Sequence, residues 1–221
     1  MRGRFITFEG GEGSGKSTHA ARLAERLKAL GIDVVLTREP GGSPGAEVIR
    51  HILLSGIAKP LGTETETLLF AAARDDHVRV TIRPALEAGR WVVCDRFIDS
   101  TRVYQGVLGH VDQRLIRGLE RVTVGDAIPD LTFVMDVPAR LGLARASRRR
   151  TKGEADRFEG ETLAFHESLN DAFRTLAKKE PRRCVVIDGR NARDVAADDI
   201  WKVVVERLRP QATRAPERVS P

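Results

Sequence analysis

Two cysteines in 221 residues are too few for a disulfide framework or a cysteine-built metal centre. Cys94 and Cys184 each sit at the edge of an apolar run, "WVVC" and "CVVI", where a small buried thiol is the ordinary reading. Aromatic residues are scarce too. Tyr104 is the single tyrosine and tryptophan occurs twice, which leaves few rings for stacking exposed bases. No apolar run approaches the roughly 20 residues that cross a bilayer, and the opening "MRGRFITFEGG" lacks the apolar core of a secretory signal. A cytoplasmic chain with no membrane partner is expected. Asparagine occurs only at Asn170 and Asn191, in "LNDA" and "RNAR", so the N-K-x-D motif of a guanine-reading switch is absent. The formal charge of +6 and pI near 9.8 concentrate in "SRRRTKG" and in the tail "RLRPQATRAPERVSP". Arginines facing the phosphates of a small anionic substrate account for that sign as well as a nucleic acid would, and no nucleic-acid partner is expected.

What is present begins with "FITFEGGEGSGKST", Phe5 to Thr18. An apolar strand pattern precedes Gly10. After Lys16, Ala20, Leu23, Ala24, Leu27 and Leu30 recur at helical spacing. The loop between fits G-x-x-x-x-G-K-[ST]. Its glycines permit positive φ, so that successive backbone N–H groups can turn into one concavity, and the helix start adds partial positive charge. Gly10, Gly11, Glu12, Gly13, Ser14, Gly15, Lys16, Ser17 and Thr18 are therefore candidates for holding a nucleotide's phosphates. Lys16 would reach the β- and γ-phosphates and the Ser17 hydroxyl would ligate Mg²⁺.

Further along, short apolar runs alternate with helical patterns. "DVVLTREPGG" reads as a strand ending near Thr37 and a turn. "RWVVCDRF", "DLTFVMDVP" and "RCVVIDG" read as strands covered on both faces. "AEVIRHILLSG" is helical and ends at Gly56. "ETETLLFAAARDDHVRVTIRPALEAG" is a long helical pattern, broken at Pro84 and stopped by Gly89. "VDQRLIRGLERVTVG", "GETLAFHESLNDAFRTLAKK" and "ARDVAADDIWKVVVERL" are helical, while "ARLGLARASRRR" begins helical and runs into a basic segment. The fold class is α/β, with a parallel sheet wrapped on both faces. One domain over 1–208 is expected, with no repeats, followed by a tail at 209–221 that lacks periodicity and is expected to be disordered. Right-handed crossovers place the strand C-terminal ends on one edge, where ligands bind.

Three classes of phosphate-loop protein compete. A GTPase lacks its guanine motif. An ABC- or RecA-type motor would carry an acidic pair after its Mg²⁺ strand, where Asp95-Arg96 stand instead. A small-molecule kinase needs an aspartate at a strand end beside arginines for a second phosphate-bearing substrate, and Asp95, Arg96, Arg38 and Arg74 suit it. A regulatory protein that binds ATP without turnover is the alternative from another class.

The segments "FEGGEGSGKST", "TREPGG", "LLFAAARDDH", "DRFIDSTRVYQG", "DVP" and "GLARASRRR…DRFE" occur in an order, and with a specificity, that resembles the thymidylate kinases, in particular the bacterial form. The resemblance runs from Arg4 to about Val204. It implies the nucleoside monophosphate kinase fold, a five-stranded parallel sheet of order 2-3-1-4-5, and ATP-dependent conversion of dTMP to dTDP with Mg²⁺, which feeds dTTP supply. It implies that Arg38 and Arg96 hold the dTMP phosphate and that Asp95 positions Mg²⁺ through water. Phe70 would stack on thymine and Arg74 would bond the base edge. Ser100, Thr101 and Gln105 would complete the pocket, and Tyr104 would crowd the sugar 2′ position. Glu12 would approach the 3′-hydroxyl. Lys16 and arginines of a lid at about 145–157, namely Arg145, Arg149 and Arg157, would be catalytic, since Arg145 and Arg149 share a helix face. "DGRNA" would face adenine, mainly through backbone. A homodimer built on "AEVIRHILLSG" and "ETETLLFAAARDDHVRV" is implied as well. The sequence departs from the family pattern at Phe97 and Ala73, positions often polar. A kinase of another base preference, for dUMP or dCMP, is the alternative within the class.

Overall fold

Each of the five β-strands ends on a charged residue. In the computed structural model, which describes residues 2–149 and 157–211, the strands are β1 Phe5–Glu9, β2 Val34–Arg38, β3 Trp91–Asp95, β4 Leu131–Asp136 and β5 Cys184–Asp188. All pair in parallel in the order β2-β3-β1-β4-β5, the expected arrangement. The register aligns Arg38 with Asp95 and Phe8 with Asp95, so Glu9, Arg38 and Asp95 reach a common edge. Central β1 is buried along its whole length, whereas edge strands β2 and β5 are only partly covered. This is why β1 carries only Thr7 among its apolar residues before its terminal acid.

The helices are α1 Lys16–Ala29, α2 Pro44–Leu54, α3 Gly62–His77, α4 Arg83–Glu87, α5 Ile98–Thr101, α6 Gln113–Thr123, α7 Ala139–Arg149, α8 Leu163–Lys179 and α9 Arg193–Leu208. Ala20, Leu23, Ala24 and Leu27 of α1 join Ile200 and Val204 of α9 against Ile6, Phe8, Phe133 and Ile187 on one sheet face. On the other face Val78, Ile82 and Leu86 pack on Phe5, Val92 and Cys94, and Phe5 meets Phe97 edge-on with centroids 4.9 Å apart. Leu169 and Phe173 of α8 complete that layer with Val103 and Val134. Truncating such a fully buried side chain as Leu27 to alanine costs about 2–5 kcal/mol.

The strand alternation also carries a polar vein beneath the second face. The Thr7 and Thr132 hydroxyls are 2.7 Å apart and wholly buried, and Glu9 follows Thr7 on the same side of β1.

Two of the described stretches are π-helical. Val78–Ile82 is π-helical between α3 and α4, so the long helical pattern breaks just before Pro84, whose ring nitrogen has no hydrogen to donate. Arg102–Leu108 continues α5 as a second π-helical stretch. No helix was expected there, because Ile98, Val103 and Leu108 recur every five residues and a search for 3.6-residue periodicity passes over them.

Candidate active site

The phosphate loop is shaped by glycines with φ of 130° at Gly10, 64° at Gly13 and 97° at Gly15. A Cβ on Gly13 would lie 1.9 Å from the Gly142 carbonyl oxygen, so the loop and α7 pack backbone to backbone. Gly15 precedes α1 without a side-chain cap, and the first turn of α1 holds no acidic residue. Its backbone donors are thus open to an anion. Lys16 lies back over the loop, its Nζ donating to the Gly11 carbonyl at 2.7 Å. Burial, and next the Arg96 guanidinium, pull the Lys16 ammonium down to about 8.

The Ser17 hydroxyl donates to Asp95 Oδ2. The other carboxylate oxygen, Oδ1, is buried with no hydrogen-bond partner among the described residues. A hydroxyl beside a half-satisfied carboxylate is an all-oxygen donor set that fits hydrated Mg²⁺.

Arg96 is the hub of the acceptor side. Its backbone sits at φ 68°, in the left-handed region that few non-glycine residues adopt, fixed by its N–H donating to the Phe8 carbonyl at 2.9 Å. Its guanidinium donates to Glu12 Oε1 at 2.5 Å, to the Gly10 carbonyl at 3.2 Å and to Ser100 Oγ at 3.3 Å. It also lies 5.2 Å from the centre of the Tyr104 ring. The Tyr104 hydroxyl donates to the same Glu12 oxygen at 3.1 Å. Burial pushes the Glu12 carboxyl up, but Arg96 and Lys16 outweigh it and hold the group down at about 2. Burial drives the Tyr104 phenol well above its ordinary range.

A second assembly surrounds Arg74, whose Nε donates to Glu39 Oε2 at 2.8 Å and whose Nη2 donates to Thr101 Oγ1 at 3.0 Å. Glu39 also meets His77 Nδ1 at 3.1 Å, and His77 Nε2 meets Thr37 Oγ1 at 2.7 Å. Phe70 precedes Arg74 by one turn of α3 and shares its face.

One cleft gathers these groups. Glu12, Arg38, Phe70, Arg74, Arg96, Ser100, Thr101, Tyr104 and Gln105 all line it, as do Lys16, Ser17 and Asp95. Arg38 stands at the rim, more than half exposed and paired with Glu47 at 3.0 Å. Arg145 does not line the cleft. Its Nη1 donates to the Gly189 carbonyl at 2.9 Å, on the turn after β5 where the "DGRNA" segment begins. The side chains of Arg149 and Arg157, with residues 150–156 between them, lie outside the described residues, as do residues 212–221 of the tail.

The cleft also holds residues that the sequence did not single out. Glu39 and Arg50 line it, and Arg50 donates to the Pro40 carbonyl at 2.5 Å. Phe158 lines it from a short 3₁₀ turn, Arg157–Gly160, with its ring edge-on to Tyr104 at 5.1 Å. Position within "REPGG" and "DRFE" was the available signal for Glu39 and Phe158, and Arg50 offered none.

The family model for thymidylate kinase matches residues 8–200 of this chain. A thymidylate kinase of Nitrobacter winogradskyi is 60% identical over 207 residues, spanning 94% of this chain and 90% of that protein. One from Bradyrhizobium diazoefficiens is 58% identical over 209 residues, spanning 95% and 92% respectively. The crystal structure of thymidylate kinase from Ehrlichia chaffeensis superposes with a TM-score of 0.74 at 36% identity, covering 92% of this chain and 99% of that one.

Proposed function

Since the chain belongs to the thymidylate kinase family and phosphorylates dTMP to dTDP at the expense of ATP, we propose how its cleft divides that work. The acceptor phosphate is held by Arg96 and Arg38, whose planar guanidinia match phosphate oxygens. Thymine stacks on Phe70 and is read by Arg74 with Thr101 and Gln105. Tyr104 and Glu12 border the sugar. The phosphate-loop N–H groups and Lys16 hold the donor's β- and γ-phosphates. An acceptor phosphate oxygen attacks the γ-phosphorus in line, and the bond to the β–γ bridging oxygen breaks as ADP leaves. Ser17 and Asp95 are the residues that would hold Mg²⁺, which when bound neutralises charge on the β- and γ-oxygens.

The phosphate loop carries Glu12 where an arginine would otherwise meet the developing charge, so that charge is met by lid arginines. Arg149 and Arg157 remain the candidates for this role. The bond from Arg145 to Gly189 suits the nucleoside end of ATP better than its transferred phosphate. A single kinase domain over 1–208 with its lid at about 145–157 is part of this reading, and residues 212–221 of the tail lie outside the described residues. So is a homodimer. Val48 of α2, Leu68 of α3 and Val122 of α6 are exposed apolar residues on helices that a second copy would cover.

The observation that carries the reading is the single cleft in which guanidinia, a stacking ring and a nucleotide phosphate loop face one another. The test is ADP release measured against a panel of nucleoside monophosphates. dTMP should give the highest kcat/KM. Equal turnover of dUMP or dCMP would refute the base assignment, and ATP binding without acceptor-dependent ADP release would refute the kinase.

No helix among the described residues is long and apolar enough to cross a membrane.

A further inference from the structure

Glu9, the last residue of β1, is fully buried yet does not line the cleft. Burial, and next the Asp99 charge, raise its carboxyl to about 7, so above that pH it is an ionised carboxylate that needs donors to replace water. Among the described residues its donors are Phe97 and Ser100, just beyond Arg96. Its Oε1 accepts the Phe97 N–H at 2.7 Å and the Ser100 N–H at 3.3 Å, and its Oε2 accepts the Ser100 hydroxyl at 2.7 Å. Phe8, one residue earlier, accepts the Arg96 N–H. The end of β1 therefore grips the backbone on both sides of a residue in the left-handed region.

The grip extends to the guanidinium. Ser100 directs its hydrogen to Glu9, which leaves its oxygen free to accept from Arg96 Nη1 at 3.3 Å. That polarity requires an acceptor-only partner at Oε2. The Asp99 carboxylate nearby is met by Arg102 at 3.2 Å and Arg183 at 2.6 Å, yet its charge still helps to raise the Glu9 carboxyl.

We propose that Glu9 is a positioning residue for the acceptor phosphate, acting through Phe97 and Ser100 to hold Arg96 toward the cleft with its guanidinium bonded to the Ser100 oxygen. The inference rests on Arg96 binding the dTMP phosphate. Glu9→Gln is the discriminating variant because it keeps the shape. Its carbonyl must stay on the Phe97 N–H, so its amide nitrogen faces Ser100, forces that hydroxyl to accept, and turns the hydroxyl hydrogen toward Arg96.

The test compares calorimetric binding of dTMP and of thymidine, which lacks the phosphate, in the wild type, Glu9→Gln and Ser100→Ala, at about pH 8, above the value to which burial raises the Glu9 carboxyl. Wild type should bind dTMP more tightly than thymidine; no such preference would overturn the phosphate reading itself, and this inference with it. In Glu9→Gln, thymidine affinity should be unchanged while the advantage of dTMP falls about tenfold, the scale of one charge-assisted hydrogen bond. KM for dTMP should rise in step and KM for ATP should not move. Ser100→Ala should reduce the dTMP advantage in the same direction. A Glu9→Gln protein with the wild-type ratio, or one weakened equally toward both ligands, overturns the inference. If Glu9→Gln fails to fold, an unchanged ratio in Ser100→Ala does so.

Discussion

The acceptor side and the donor side of the cleft are built from different materials. Around Arg96 and Arg74 the functional side chains are already bonded to one another, through Glu12, Tyr104, Ser100, Glu39 and Thr101. On the donor side the phosphate loop offers backbone N–H groups, and Lys16 is bonded to the loop's own carbonyl. A side-chain lattice fixes the shape of one particular acceptor before it arrives, so less ordering remains to be done on binding. A backbone cradle recognises phosphates whatever base they carry. Selectivity is thus expected on the acceptor side, and charge stabilisation on the donor side.

The strongest way to break this contrast is at Lys16. Lys16→Ala should fold normally and lose turnover down to background, a drop of about 10³-fold or more given how much charge its ammonium faces. A folded variant with wild-type kcat would remove Lys16 from the chemistry. Next, Arg149→Ala should lower kcat by about 10³-fold with dTMP affinity nearly unchanged, because a lid contact formed only on closure acts in the transition state. Near wild-type kcat in alanine variants of Arg145, Arg148, Arg149, Arg150 and Arg157 alike would leave the lid without a catalytic role.

On the acceptor side the expected effects are smaller and of another kind. Arg74→Ala should raise KM for dTMP by about 10- to 100-fold and flatten discrimination among bases, with a lesser change in kcat. An unchanged KM would detach Arg74 from the base.

The mildest probe is pH. Because burial brings Lys16 down to about 8, kcat/KM for ATP should decline as pH rises through about 8, where the free enzyme loses that ammonium. Bound triphosphate favours the charged form, so kcat should hold to higher pH. The stability sign is the reverse. Between about 8 and the ordinary lysine value the unfolded chain binds the extra proton, so this group's contribution to stability rises with pH across that window. Lys16→Met should therefore be more stable than wild type below pH 8, with the gap closing above it in parallel melting curves. A gap that does not vary with pH would show that the Lys16 charge is not strained by burial.

The strands and the phosphate loop were legible because their signals are local. β3 is a continuous apolar run, β1 and β4 are apolar but for one threonine each, and Gly10 to Ser17 form a spacing that only a few backbone shapes require. The helix at Ile98–Leu108 was not legible, since π spacing hides its buried positions from a 3.6-residue search. Glu39, Phe158 and Glu9 were missed for a related reason: each acts through a partner distant in sequence. Glu39 gains its meaning from Arg74 on α3, and Glu9 from the loop after β3. A strand-ending acid looks the same in sequence whether it faces water or a buried hydroxyl.

By itself the sequence determined the alternation of strands and helices in a parallel sheet, the phosphate loop and the residues that follow the strand ends, because periodicity and glycine placement constrain the chain locally. The order of the strands came from the family resemblance. Only the tertiary structure decided which acid grips which arginine. Arg96 could be bonded by Glu12, Glu9 or Asp95 from sequence alone. The pleat of β1 sends Glu9 under the sheet to the backbone of the Arg96 loop, and the turn at Gly10 brings Glu12 to its guanidinium. Side-chain direction at a strand end follows from register and from the turn beyond it, and both are settled only when the sheet is assembled.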